Sequence, residues 1–258
     1  MLLGTMLWSP LWGQEQANPP FGDTAGTVFD IIVRDDPSAF MCLEPAGRGL
    51  RQIWDKRVDG EPEVEAHLFT ARYSDGAVIE IRVNPEFSAD EAGVQARRHA
   101  YPLGQLPGTL RQGIGAFSIH GGREGFHAGT GQIVVYTETS DNRESYAHLE
   151  ESLFHEAVHA SWDDAHRLAP DWIAAQQADG RFLTDYGQQR PEREDLAETA
   201  LFAFAILHHP DRFPPVDTEV TRAAVPHRIA YIETLLPPGT PNPSPIDPAP
   251  VCAEGAIR

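Results

Sequence analysis

The segment His155-Glu156-Ala157-Val158-His159 constrains this chain more than any other. A helix advances about 3.6 residues per turn, so histidines four apart stack on one face and can turn both imidazoles toward one zinc ion. The glutamate after the first histidine projects beside that point, where its carboxylate can take a proton from water and pass it on. Such a segment needs a helix that is buried on one side and open to a cleft on the other. Tyr146, Leu149, Leu153, Ala157 and Ala160 recur three to four residues apart and supply the buried stripe. Asp141 and Glu144 read as a capping box, which predicts a helix from Asn142 to about Trp162.

A zinc ion that performs chemistry needs a third protein ligand and one open position. The extended pattern HExxHxxGxxH would require a glycine at position 162 and a histidine at position 165, where the chain has Trp162 and Ala165. Asp163 and Asp164, just beyond the motif, are one alternative. Glu194 is the better candidate, because Glu194 and Glu198 lie four apart on one face of a second predicted helix, Pro191 to His208, whose apolar positions include Leu196, Ala200, Phe204 and Leu207. One carboxylate can bind the ion while the other accepts the free N–H of a ligand histidine.

Before the motif the text is strand-like. His67 to Tyr73 and Ala77 to Val83 alternate on either side of Ser74-Asp75-Gly76 and predict a hairpin. A helix is expected from Glu86 to Tyr101, ending before Pro102, and a short one after Pro107. Ala116 to His120 and Gln132 to Tyr136 read as two further strands around the glycine-rich stretch Gly121 to Gly131. No glycine pattern there follows a dinucleotide or phosphate-loop spacing, so phosphate binding is not supported. Thr27 to Val33 is an apolar run compatible with a strand or a helix. Thr218 to Leu236 reads as a helix interrupted by Pro226.

The domain organisation expected is a leader over residues 1–20, one catalytic domain over 21–236 (strand-rich in 60–140, helical in 141–236), and a proline-rich tail over 237–258. The first residues are apolar and read as the remnant of a secretory signal with a cut near Ala17, although no Lys/Arg region precedes them. Secretion or periplasmic export is the expectation, a cytoplasmic location the alternative. In an oxidising compartment Cys42 and Cys252 would pair and pin the tail, contributing about 2 to 4 kcal/mol. A formal charge of -18, from 38 acidic against 20 basic residues spread along the chain, argues against nucleic acid as a partner. No apolar run reaches the about 18 to 20 residues of a spanning helix, and oligomeric state is not encoded.

HEAVHASWDD, a polar connector and then TDYGQQRPEREDLAE resemble the gluzincin group of zinc metallopeptidases that includes the anthrax lethal factor-like peptidases. The resemblance covers Leu149 to Phe204. It implies an α+β zincin-like fold, with a small mixed or antiparallel sheet packed on the active-site helix and a mainly helical lobe after it. It implies one Zn2+ per chain held by His155, His159 and Glu194, with Glu156 as general base, Glu198 behind the ligands and Tyr186 over the open side of the metal. A peptide or protein substrate would add as a strand to the sheet edge beside the helix, a part expected of Gln132 to Tyr136. The rival expectation is a binding or toxin-like module of the same fold whose zinc is structural or vestigial.

Overall fold

A computed structural model describes residues 18–239, 246 and 250–257. Most of the expected leader and part of the tail lie outside the described residues. The elements in chain order are β1 (Phe40–Gln52), β2 (Glu63–Tyr73), β3 (Val78–Val83), α1 (Ala89–Gln105), α2 (Gly108–Arg111), β4 (Ala116–His120), β5 (His127–Gly129) and β6 (Gln132–Tyr136). There follow α3 (Thr137–Ser145), α4 (Leu149–His166), α5 (Pro170–Asp179), α6 (Asp185–Gln189), α7 (Asp195–His208), α8 (Pro215–Ala224) and α9 (Pro226–Leu235). The chain is α+β: a six-stranded mixed sheet whose parallel β3–β4 connection carries α1 and α2, followed by a helical part from α3 onward.

The sheet order is β1-β2-β3-β4-β6-β5. The hairpin pairs β2 with β3 antiparallel, β3–β4 and β4–β6 are parallel, and β5 returns antiparallel to β6. Every residue of β4 is buried, as a central parallel strand covered on both faces requires. Asp75 does more than turn the hairpin. Its buried carboxylate accepts from Arg111 Nη2 at 2.7 Å, and the same guanidinium donates to the carbonyls of Leu103 and Gly104 at the end of α1. Helix α1 runs past Pro102 to Gln105, correcting the expected end before it. The helix starts at Ala89, on a capping box formed by Ser88 and Glu91.

Three further expectations are corrected. First, the segment Asn142 to Trp162 is not one helix: α3 stops at Ser145, and Ala147 turns through a positive φ of 52° before α4 begins. Ala147 O accepts from Asp30 N and His148 Nδ1 bonds Val28 O, so the N-terminal segment imposes the break. Asp141 and Glu144 do not form a cap there but pair with Arg98 of α1, at 2.7 and 2.8 Å. Second, Thr27 to Val33 is neither strand nor helix. Val28 and Ile31 are fully buried, while Ile31 and Ile32 donate their backbone N–H groups to Glu151 of α4. Third, Gln132 to Tyr136 is not the sheet edge, because β6 is paired on both sides and β5 takes the edge.

The helical lobe packs α7 against α4, with Phe154 and Phe204 rings 4.8 Å apart. Residues Asp195 to Ile206 of α7 are all buried, as expected for a helix inside a core rather than on a surface. Helix α7 begins at Asp195, four residues later than Pro191 suggests, with Glu194 in its N-cap position. Thr218 to Leu236 is two helices, α8 and α9, and Pro226 opens the second in the favoured first-turn position. Cys42 and Cys252 form a disulfide, and Leu43 and Ile257 exchange backbone hydrogen bonds beside it at 2.8 and 2.9 Å. Among the described residues no helix is long and apolar enough to cross a membrane.

Candidate metal centre

Helix α4 presents His155 and His159 on the face turned toward the start of α7, where Glu194 stands. His155 Nε2 and His159 Nε2 are 3.2 Å apart, and Glu194 Oε2 is 3.3 Å from the first and 3.2 Å from the second. The three donor atoms thus form a nearly equilateral triangle. His159 and Glu194 are buried and His155 is half-buried, with side-chain exposures of 7 %, 7 % and 14 %. Two imidazoles and a carboxylate gathered this way can hold a metal ion.

The opposite ring nitrogens face carboxylates. His159 Nδ1 donates to Asp163 Oδ2 at 3.0 Å, and His155 Nδ1 lies 3.5 Å from Glu198 Oε1. Asp163 is therefore placed behind the histidine rather than among the donors. Asp164 is exposed and accepts from Thr130 Oγ1 outside the centre. Glu198 is held in turn by Thr24, whose N–H and hydroxyl both donate to it at 2.9 and 2.7 Å. Burial pushes the Glu198 carboxyl up, against the opposing pull of His155 and Thr24.

Without a metal the centre is a trap for positive charge. Burial disfavours an imidazolium at His159, but the hydrogen bonds to Asp163 and Glu194 outweigh it and push the group up to about 10. Burial alone would raise Glu194, yet the contacts from His155 and His159 hold its carboxyl well below the usual range. The pocket is thus built around one cation, a proton or a metal ion competing for the same lone pairs.

Glu156 lies between two recesses of about 260 and 280 Å³ and lines both, together with His155 and Tyr186. Burial raises its carboxyl above the usual range, opposed by the two histidines. Tyr186 sits in α6, its backbone N–H bonded to Gly22 O at 3.0 Å and its ring covered by the Arg190 guanidinium at 4.7 Å. Burial, then the charge of Glu194, raises its phenol above the usual value. The structure thus gathers His155, Glu156, His159, Tyr186, Glu194 and Glu198 around one cleft, while Cys42 and Cys252 lie apart in their disulfide at the β1 edge.

Sequence reasoning missed Lys56, His127 and Thr24. Lys56 follows β1 in a loop with no periodic signal, and Thr24 precedes any recognisable element. His127 carried a faint signal, a histidine inside the glycine-rich stretch before a strand. It stands on β5 and lines the recess that holds the triangle. Asp163 was legible as a residue four after His159, hence on its face, but that spacing does not distinguish ligand from support.

Comparison with protein-family models, with curated proteins and with solved structures returns no match.

Proposed function

We propose that the chain is a zinc-dependent peptidase that hydrolyses peptide bonds, and more specifically an endopeptidase of the zincin type. The observation that carries this reading is the donor triangle. A tetrahedral zinc with ligands at about 2.0 to 2.1 Å sets its donor atoms about 3.3 Å apart, and the edges here are 3.2 to 3.3 Å. The donor set favours zinc over magnesium or calcium, which take oxygen ligands, and imidazole suits a first-row metal.

His155, His159 and Glu194 would hold the ion. Asp163 fixes the His159 tautomer by taking its Nδ1 proton into a hydrogen bond, which frees the Nε2 lone pair, and Glu198 faces His155 in the same sense. A bound zinc supplies Lewis acidity toward a carbonyl oxygen and toward water. Glu156 takes a proton from the attacking water and delivers it to the departing amine, a role suited to a carboxyl whose proton affinity burial has raised. Tyr186 donates its phenolic hydrogen to the carbonyl oxygen as negative charge develops there. The cleft around Glu156 lets a substrate approach these groups.

The rival reading, a binding module with a structural zinc, is less well supported. Structural zinc sites are closed by four protein ligands, whereas only three donors converge here among the described residues. The disulfide favours an oxidising compartment, consistent with export. The test is metal analysis of the purified chain and of Glu194→Gln. One zinc per chain, lost or greatly weakened in the variant, is expected. A chain that binds no zinc overturns the reading.

A further inference from the structure

The recess that contains the donor triangle is unusual in sign for so acidic a chain. Apart from the metal-centre residues His155, Glu156, His159 and Glu194, its charged lining consists of cations alone: Lys56, Arg190 and Arg193. Arg193 lies against Glu194, its Nε 3.4 Å from Oε1, but neither Lys56 nor Arg190 forms an ion pair among the described residues. In a molecule of formal charge -18, two cations without a direct ion-pair partner at the mouth of a site point to a ligand of opposite charge.

Lys56 is held in place rather than free to swing. Its backbone N–H donates to Tyr136 Oη at 2.7 Å, and the neighbouring Asp55 and Arg57 are tied together and to Glu86. Its ammonium donates to Gly125 O and Phe126 O at 2.8 and 3.1 Å, and the residue as a whole is exposed. Partial loss of water around the ammonium lowers its proton affinity, against the opposing pull of Glu156, Glu124 and Glu194. Beside it, both ring nitrogens of His127 are buried without a hydrogen-bond partner. Burial and then the charge of Lys56 hold that imidazole neutral, down to about 4, so it carries one N–H to donate.

We propose that this recess binds a carboxylate of the substrate, with Lys56 as its charge contact, His127 as its hydrogen-bond donor and Arg190 at the rim. The proposal rests on the peptidase reading and gives it a substrate class: peptides with an acidic group close to the bond that is cut. The group is an Asp or Glu side chain or the C-terminal carboxylate. The net negative charge of the molecule does not forbid this, since at physiological salt its field is largely screened beyond about 8 Å and the local cations dominate inside the recess.

The test is a binding measurement that requires no turnover. Zinc-loaded full-length Glu156→Gln is titrated with alanine hexapeptides blocked at both ends, carrying one Asp walked through the sequence, and with the corresponding Asn peptides. A third set has Asn and a free C-terminus. At one position, the Asp peptide is expected to bind about tenfold more tightly than its Asn partner. Lys56→Met should erase the difference and Lys56→Arg restore it, while Arg190→Gln, on an exposed side chain, reduces it. A gain found only in the third set assigns the recess to the C-terminal carboxylate. Equal binding of charged and neutral peptides, or no binding of any, overturns the proposal. Charge-selective binding with no cleavage by the wild type would instead overturn the peptidase reading and leave the recess assigned. Cleavage without charge preference does the reverse.

Discussion

Asp163 stands one helical turn after His159 on α4 and accepts a hydrogen bond from its Nδ1 at 3.0 Å, so the residue that orients the imidazole lies on the same helix as the imidazole itself. Such partners raise ligand basicity and fix ring orientation. Replacing Asp163 with Ala is expected to weaken zinc binding about 10- to 100-fold with the fold intact, measured by competition with a chromogenic chelator. Unchanged affinity would show that His159 needs no such support.

The same pair predicts how metal binding depends on pH. In the metal-free chain His159 has its proton affinity raised from an ordinary 6.5 to about 10, so it is protonated at neutral pH and zinc must displace that proton. Apparent zinc affinity is therefore expected to rise with pH up to about 10. Calorimetric titration in buffers of different ionisation enthalpy should report the release of about one proton at pH 8. The sign for stability is opposite. A raised folded-state value contributes stability to the metal-free protein that is fully present below 6.5 and is lost as pH rises toward 10. Thermal melts of the metal-free chain should fall over that window. A flat profile contradicts the assignment.

How much of this was legible from the residues depended on what kind of force placed them. His155, Glu156 and His159 needed only a helix, and α4 carries a three-to-four-residue apolar period that any reading detects. Glu194 and Glu198 were legible for the same reason, although the helix begins only after Glu194. The break at Ala147 was not, because it is imposed by Asp30 and Val28, more than a hundred residues earlier in the chain, through backbone contacts that leave no local pattern. The sheet edge is not legible in the sequence because β5 is three residues long, too short to show a period. Strand β1 escaped notice because Pro45 and Gly47 interrupt its alternation. Both fall at an irregularity in an edge strand, where a missing N–H donor and a positive φ of 79° at Gly47 are tolerated.

Tyr186 provides a kinetic prediction. Tyr186→Phe removes the phenolic donor and keeps the ring under Arg190, so kcat is expected to fall about a hundredfold or more with KM little changed. An unchanged kcat would make Tyr186 a packing residue of the cleft wall.

The disulfide closes a separation of 210 residues and holds the C-terminal segment against β1. Replacing Cys42 and Cys252 together by Ser is expected to cost about 2 to 4 kcal/mol in urea unfolding, with metal content unchanged because the bridge lies away from the centre. Loss of zinc in that variant would reveal a coupling between the bridge and recesses that neither cysteine lines.

The central claim is that zinc and Glu156 together hydrolyse peptide bonds, and the most direct measurement compares the wild type with Glu156→Gln on a mixed peptide library, with zinc quantified in both. The account predicts one zinc per chain in each protein, cleavage by the wild type, and a loss of about 10²- to 10⁴-fold or more in the variant. Equal cleavage by the two proteins, or a zinc-loaded wild type that cuts no peptide, would contradict it.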